Sequence, residues 1–293
     1  MTAFSCSICP RRCGAVRTET AGGGFCGMPA LPVVARAALH FWEEPCISAT
    51  RGSGTVFFSG CNLGCVFCQN GSISHGKFGK TVSIPRLRQI FRDLIAQGAH
   101  NINLVTPTHF TPAIREALSE PLGVPVVWNS GGYELPETLR TLEGQVQIYL
   151  PDLKYAGSAL AGAYSGAPDY FETATAAIRE MFRQVGRCAF DGEGVLQRGV
   201  VIRHLLLPGA LENTKAVLDW IAGTFPPGAV LVSLMSQYTP QPGAAGLLRR
   251  KVTGAESRAA RAYMENLGLT AGYYQDSSSA REEYTPPFDL TGV

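Results

Sequence analysis

Apolar positions along the chain change rhythm near residue 50. Beyond it, short apolar or β-branched runs recur as "GTVFFS", "INLVT", "VPVVWN", "VQIYLPDL", "VVIRHLLL" and "AVLVSLM". These runs predict six strands. Between several of them the period lengthens to that of a helix. In "PRLRQIFRDLIAQG", Leu87, Ile90, Phe91, Leu94 and Ile95 mark one face, with Pro85 near the start and Gly98 past the end. "PDYFETATAAIREMFRQVG" repeats the pattern through Phe171, Ile178, Met181, Phe182 and Val185. "ENTKAVLDWIAG" and "AESRAARAYMENLG" read as helices too, and "LPETLRTLEG" as a shorter one. Strands that alternate with helices predict an α/β fold with a parallel sheet.

Unusual polar residues gather where these strands end. Cys61, Cys65 and Cys68 follow the first strand, and Thr106, Thr108 and His109 the second. Asn129 lies at the end of the third, Asp152 and Lys154 at the end of the fourth, and Gln237 after the last. Arg203 and His204 sit inside the fifth. Polar groups at the carboxyl ends of many parallel strands suit a barrel mouth, whereas a doubly wound sheet concentrates them at one switch point. The expectation is a barrel-like array over residues 51–293, incomplete because only six units are clear. Residues 1–50 are rich in Gly, Pro and Cys and read as a small metal-bound cap. The tail "EEYTPPFDLTGV" reads as irregular and superficial.

Composition removes several function classes. The chain has 293 residues, 45% hydrophobic and 16% charged, with a formal net charge of +2. No strong field points to nucleic acid. No apolar run approaches the roughly 18 residues of a membrane span, and "MTAFSCSICPRRCG" has no apolar leader. A cytoplasmic location is expected. Nine cysteines in a reducing compartment are not expected to pair as disulfides. Seven fall in two clusters, which is the arithmetic of metal ligation. Cys46 and Cys188 stand apart and read as small buried hydrophobes.

The loop "FFSGCNLGCVFCQN" places Cys61, Cys65 and Cys68 within eight residues. A four-iron cluster ordinarily takes four thiolates, so a loop that supplies three leaves one iron open. An open position marks reaction rather than scaffolding, by the logic of catalytic zinc sites. A zinc site is the alternative and needs a fourth ligand, such as His75. The second group, Cys6-x2-Cys9-x3-Cys13-x12-Cys26, supplies four thiolates that suit zinc or an auxiliary iron–sulfur cluster. Arg11 and Arg12 stand beside it to hydrogen-bond or balance its charge.

"GCNLGCVFC" resembles the signature loop of radical S-adenosylmethionine (SAM) enzymes. "FSGCNLGCVFCQNGSIS" is similar to the pyruvate formate-lyase-activating-enzyme-like branch. "PDLKY" is similar to that branch's Asp-x-Lys element, "VIRHLLLPG" to its later strand and "SLMSQYTP" to its last barrel strand. The resemblance implies a partial (β/α)6 TIM-like barrel with a [4Fe-4S] cluster on Cys61, Cys65 and Cys68 and SAM on the open iron. It implies a 5′-deoxyadenosyl radical that abstracts hydrogen from a substrate, in a glycyl-radical-enzyme activase or an enzyme modifying a small molecule or peptide. A reductant such as flavodoxin or ferredoxin follows from it. A non-catalytic iron–sulfur redox sensor is the rival. Phe67 would shield the cluster or abut adenine. Asp152 and Lys154 share a strand face and would point into the barrel mouth, with Arg203 a planar fork suited to a carboxylate. Asn129 and Gln237 would bind the SAM ribose or carboxylate. The branch's Gly-Gly-Glu-like run is replaced by "LVTPTHF", so Thr106, Thr108 and His109 are the candidates at that edge.

Overall fold

In the computed structural model, which describes residues 3–275 and 286–293, all six runs are strands. They are β2 (Ser53–Phe58), β3 (Ile102–Val105), β4 (Val126–Ser130), β5 (Ile148–Pro151), β6 (Leu196–Leu205) and β7 (Leu231–Met235). Two further strands flank them. An eight-residue β1 (Val33–His40) pairs antiparallel to β2, and a short β8 (Gly272–Gln275) pairs parallel to β7. Sheet order follows chain order from β1 to β8, and β2 through β8 are all parallel. Among these eight the order never reverses, so the parallel part of the sheet has no switch point of the doubly wound kind; a two-residue strand, Lys80–Thr81, adds antiparallel at the outer edge of β1.

Helices cover one face. The N-terminus of α2 (Ile84–Ala96) is capped by Ser83, whose hydroxyl accepts from the Arg86 N–H at 3.3 Å. Its buried stripe of Leu87, Ile90, Phe91 and Leu94 joins Ile102 and Leu104 of β3 in the main core. α6 (Tyr170–Val185), α7 (Leu211–Thr224) and α8 (Gly254–Asn266) are the other three strongly patterned segments. α8 opens with a Thr253–Glu256 capping box. The shorter α3 (Thr111–Ala117), α4 (Pro136–Arg140) and α5 (Ser158–Ser165) complete the connections.

The opposite face is apolar as well. Val127, Ile148, Leu150, Val201 and Leu231 cluster with Cys46 and Ile47 of the one-turn helix α1 (Pro45–Ser48). Burial on both faces explains why the strands read as unbroken apolar runs. Above this plug the same face turns polar, through Asn103, Asn129, Arg203 and Ser233.

The tail's residues 282–285 lie outside the described residues, and 286–293 are irregular. That last stretch lies along β1, where the Ala37 N–H donates to the Thr291 carbonyl at 2.8 Å. No helix among the described residues is long and apolar enough to cross a membrane.

His204 faces the helices, away from Arg203. Its Nδ1 donates to the Leu153 carbonyl at 2.6 Å, and its Nε2 meets the Thr214 hydroxyl at 2.8 Å. Burial pushes the ring's pKa down to about 4 from 6.5. The folded protein therefore binds fewer protons than the unfolded chain below pH 6.5, and stability falls as pH drops through that window toward 4. The loss is on the order of 3 kcal/mol from this group. His204→Leu should be less stable at pH 7 but flatter with pH, and urea midpoints for both proteins at pH 7 and pH 5 measure the difference in slope.

Candidate functional site

Strand β2 ends at Phe58, and the chain turns at once into the three-cysteine loop. Gly60 has φ +77°, and a Cβ there would lie 2.4 Å from the Met28 Cγ. Only glycine lets the loop leave the strand so close to the N-terminal segment. Cys61, Cys65 and Cys68 then line one cavity of about 250 Å³. Each sulfur already receives a hydrogen bond: Cys61 from the Leu63 N–H at 3.3 Å, Cys65 from the Ser165 hydroxyl at 3.0 Å, Cys68 from the Ser74 hydroxyl at 3.3 Å. Burial pushes the Cys61 thiol up to about 12, and the charges of Cys65 and Cys68 add to it. Such thiols ionise readily only beside strong positive charge, which bound metal supplies. As donors, the three fit a metal cluster. Among the described residues, no three His, Cys, Asp or Glu side chains are drawn close enough for a single metal ion.

Arg11 holds the loop from behind. Its guanidinium donates to the carbonyls of Asn62 at 2.9 Å, Leu63 at 3.2 Å, Ser165 at 2.8 Å and Gly166 at 2.5 Å. The same group lies 3.9 Å from the centre of the Phe25 ring. Arg11 thus fastens the N-terminal cysteine segment to the cysteine loop through carbonyls, while Arg12 pairs with Glu137 at 2.8 Å. Cys9 and Cys26 each feel the charges of both Cys6 and Cys13, so the four N-terminal thiols form one neighbourhood.

The inner wall carries alternating charges. The Lys154 ammonium bonds Asp152, whose other oxygen accepts from Arg203 Nε at 2.9 Å. Arg203 also reaches Glu43 at 3.3 Å and the Asn129 side-chain carbonyl at 2.7 Å. Burial works to raise the Asp152 carboxyl, but Arg203 and Lys154 outweigh it and hold it below its usual range. For Lys154, burial works downward while Asp152 and Cys65 raise it further. Tyr170 braces this stretch, accepting from the Lys154 N–H at 3.0 Å and donating to the Asp152 carbonyl at 2.7 Å.

Phe67 lines the cavity and stands 6.1–6.4 Å from the rings of Tyr155, Tyr164 and Tyr238. Thr106, Asn129 and Gln237 also line it. Thr106 sits at φ +59°, a left-handed backbone uncommon for a β-branched residue, and its N–H donates to the Asn129 carbonyl. Thr108 and His109 are not part of the cavity wall. The chain bends into a 3-10 turn after Pro107, and the Thr108 hydroxyl donates to buried Glu134 at 2.9 Å. His109 meets the Ser59 carbonyl at 2.8 Å, and burial pushes its pKa down to about 3. Pattern reading missed Glu43 and Glu44, which enter the cavity from the turn after β1.

No family model matches the chain. The uncharacterized protein MJ0674 of Methanocaldococcus jannaschii is 31% identical over 247 residues, covering 81% of this chain and 67% of that one. The chain belongs to the family of that archaeal protein. Among solved structures it is similar to SuiB of Streptococcus suis, with a TM-score of 0.52 and 15% identity over 79% of this chain. It spans half of the SuiB chain. It is also similar to a spore photoproduct lyase variant, with a TM-score of 0.50 and 9% identity over 82% of this chain and 81% of that one. Both are radical SAM enzymes, and the likeness is one of fold.

The Arg11 geometry gives a direct test. Arg11→Ala removes four carbonyl contacts and is expected to lower the unfolding midpoint by several degrees. It should also speed thiol labelling of Cys61, Cys65 and Cys68. Arg11→Lys should restore little, because an ammonium cannot span carbonyls on two segments; mass spectrometry of labelled peptides reads the rates.

Proposed function

We propose that the protein is a radical SAM enzyme in which Cys61, Cys65 and Cys68 hold a [4Fe-4S] cluster and SAM takes the remaining iron. One observation carries the reading: three thiols from one short loop face a single cavity, each with a donor aimed at its sulfur. When bound, these groups supply one-electron cleavage of the sulfonium and a 5′-deoxyadenosyl radical that takes hydrogen from a substrate. The chain's own residues prepare the place. Leu63, Ser74 and Ser165 spread charge off the sulfurs, and Arg11 fixes the loop that carries them. Phe67 and its tyrosines keep water from one side of the loop. Lys154, held cationic by Asp152, sets positive charge beside Cys65. Thr106, Asn129 and Gln237 offer polar atoms on the wall for the SAM ribose and carboxylate.

Within this reading the sheet is a partial (β/α)6 barrel, and the Cys-rich segment at its N-terminal side carries a second metal, zinc or iron–sulfur, on Cys6, Cys9, Cys13 and Cys26. A reduced flavodoxin or ferredoxin in the cytoplasm supplies the electron. The motifs favour the pyruvate formate-lyase-activating-enzyme-like branch, whose use is to install a glycyl radical on a partner protein. Modification of a peptide is the second reading, favoured by SuiB, a protein of this fold that was solved with its precursor peptide SuiA.

Anaerobically reconstituted protein reduced with dithionite should convert SAM to 5′-deoxyadenosine, and Cys65→Ala should abolish the product while circular dichroism is unchanged. Iron-loaded protein that neither binds nor cleaves SAM would make it the non-catalytic redox sensor instead. For the N-terminal site, Cys13→Ala should lower zinc or iron per chain by one site's complement, measured by plasma emission. A metal content equal to that of the parent protein removes the second site.

A further inference from the structure

Along the inner wall the signs run Lys154 positive, Asp152 negative, Arg203 positive and Glu43 negative, each bonded to the next. The next residue breaks the alternation. Glu44 is only 2% exposed and lines the same cavity. Its Oε2 has no hydrogen-bond partner among the described residues. Arg203 is already engaged with Asp152, Asn129 and Glu43. Three carboxylates therefore share two cations. Two buried neutral groups, the Asn103 amide and the Ser233 hydroxyl, act on the glutamate pair and favour its charged form. They lie beside Glu43 and Glu44, respectively.

Burial pushes the Glu44 carboxyl up to about 7 against the pull of Arg203, so a further cation bonded to the open Oε2 would offset a desolvation cost that Arg203 meets only in part. The side chain of Glu44 has no capping duty for α1, whose first turn uses only the Glu44 carbonyl. The walls nearby also suit a cation. His40 and Trp42 precede the glutamates in the chain and line the cavity with Phe57, whose ring stands 6.0 Å from that of His40. Aromatic rings around a carboxylate pair accept an alkyl stem and a positively charged head together.

We propose that Glu44, with Glu43 beside it, seats a cationic nitrogen of the substrate, an ammonium or a guanidinium. The proposal rests on the radical SAM reading for calling that ligand a substrate. SAM also carries an ammonium group, so two sources share this chemistry. The charge ladder separates them. Its Lys154 end acts on Cys65 of the cysteine loop, and its other end is Glu43, bonded to Arg203, with Glu44 next in the chain.

The test compares pentylammonium with 1-pentanol, equal in stem and different in head, by ligand-observed NMR on the full, anaerobically reconstituted chain. Pentylammonium should bind at least tenfold tighter than pentanol. Glu44→Gln should erase that preference and leave SAM affinity, measured by equilibrium dialysis, within twofold. It should also keep or raise the unfolding midpoint, because it removes the desolvation cost of a buried carboxyl, and Glu44→Asp should retain part of the preference. Equal binding of the two probes overturns the proposal, as does a preference that survives Glu44→Gln. A tenfold loss of SAM affinity in Glu44→Gln assigns the cation to the cofactor and overturns the substrate role. A preference that holds in a protein unable to cleave SAM keeps the cation seat and removes the radical reading instead.

Discussion

Arg203 is the interaction on which the cavity depends. It stands on β6 and bonds a carboxylate after β5, an amide on β4 and a glutamate from the turn after β1. Buried charges tolerate desolvation only when fully engaged, and removing one partner strands the rest. The arginine therefore sets the spacing between strand ends as firmly as the backbone ladder does. It also lets Lys154 stay charged within reach of a cysteine, because Asp152 is shared between the two cations. A single fork thus links the shape of the wall to the electrostatics of the thiol loop.

Two further arginines, Arg17 and Arg11, tie the N-terminal segment to the rest of the molecule. Arg17 is 1% exposed and reaches the carbonyls of His109 and Pro29. Arg11 reaches four more carbonyls. Both guanidiniums come from the cysteine-rich segment, and both spend most of their donors on main-chain oxygen. The segment is thereby a backing plate for the loop, and Arg17 also reaches that segment's own Cys6 sulfur at 3.7 Å.

The strands were legible because burial on both faces leaves unbroken apolar runs, and the three cysteines drew notice by their spacing and line one cavity. β1 was not, since "VVARAALH" carries the alanine and leucine content of a helix and becomes a strand only by pairing with β2. Glu43 and Glu44 carry no motif, standing as an adjacent acidic pair before a proline, and only the fold after the edge strand brings them inward. Thr108 and His109 lie off the cavity wall for the opposite reason. They follow a strand end closely in sequence, yet a tight turn at Pro107 carries both behind the wall. Asp152, Lys154 and Arg203 came out of pattern because alternation along a strand decides which side chains share a face.

Strand order that matches chain order has a consequence for how the molecule forms. Each new strand finds its partner in the one just made, so long-range searches are short and the sheet can grow in the order in which it leaves the ribosome. The thiol loop emerges early, after β2, whereas Arg203 comes two-thirds of the way along the chain. Until then Glu43 and Asp152 have no shared cation, and their end of the sheet is still wet. The wall that encloses the cavity is complete only when β6 docks, so until then the three thiols stand at the edge of an open, half-built sheet.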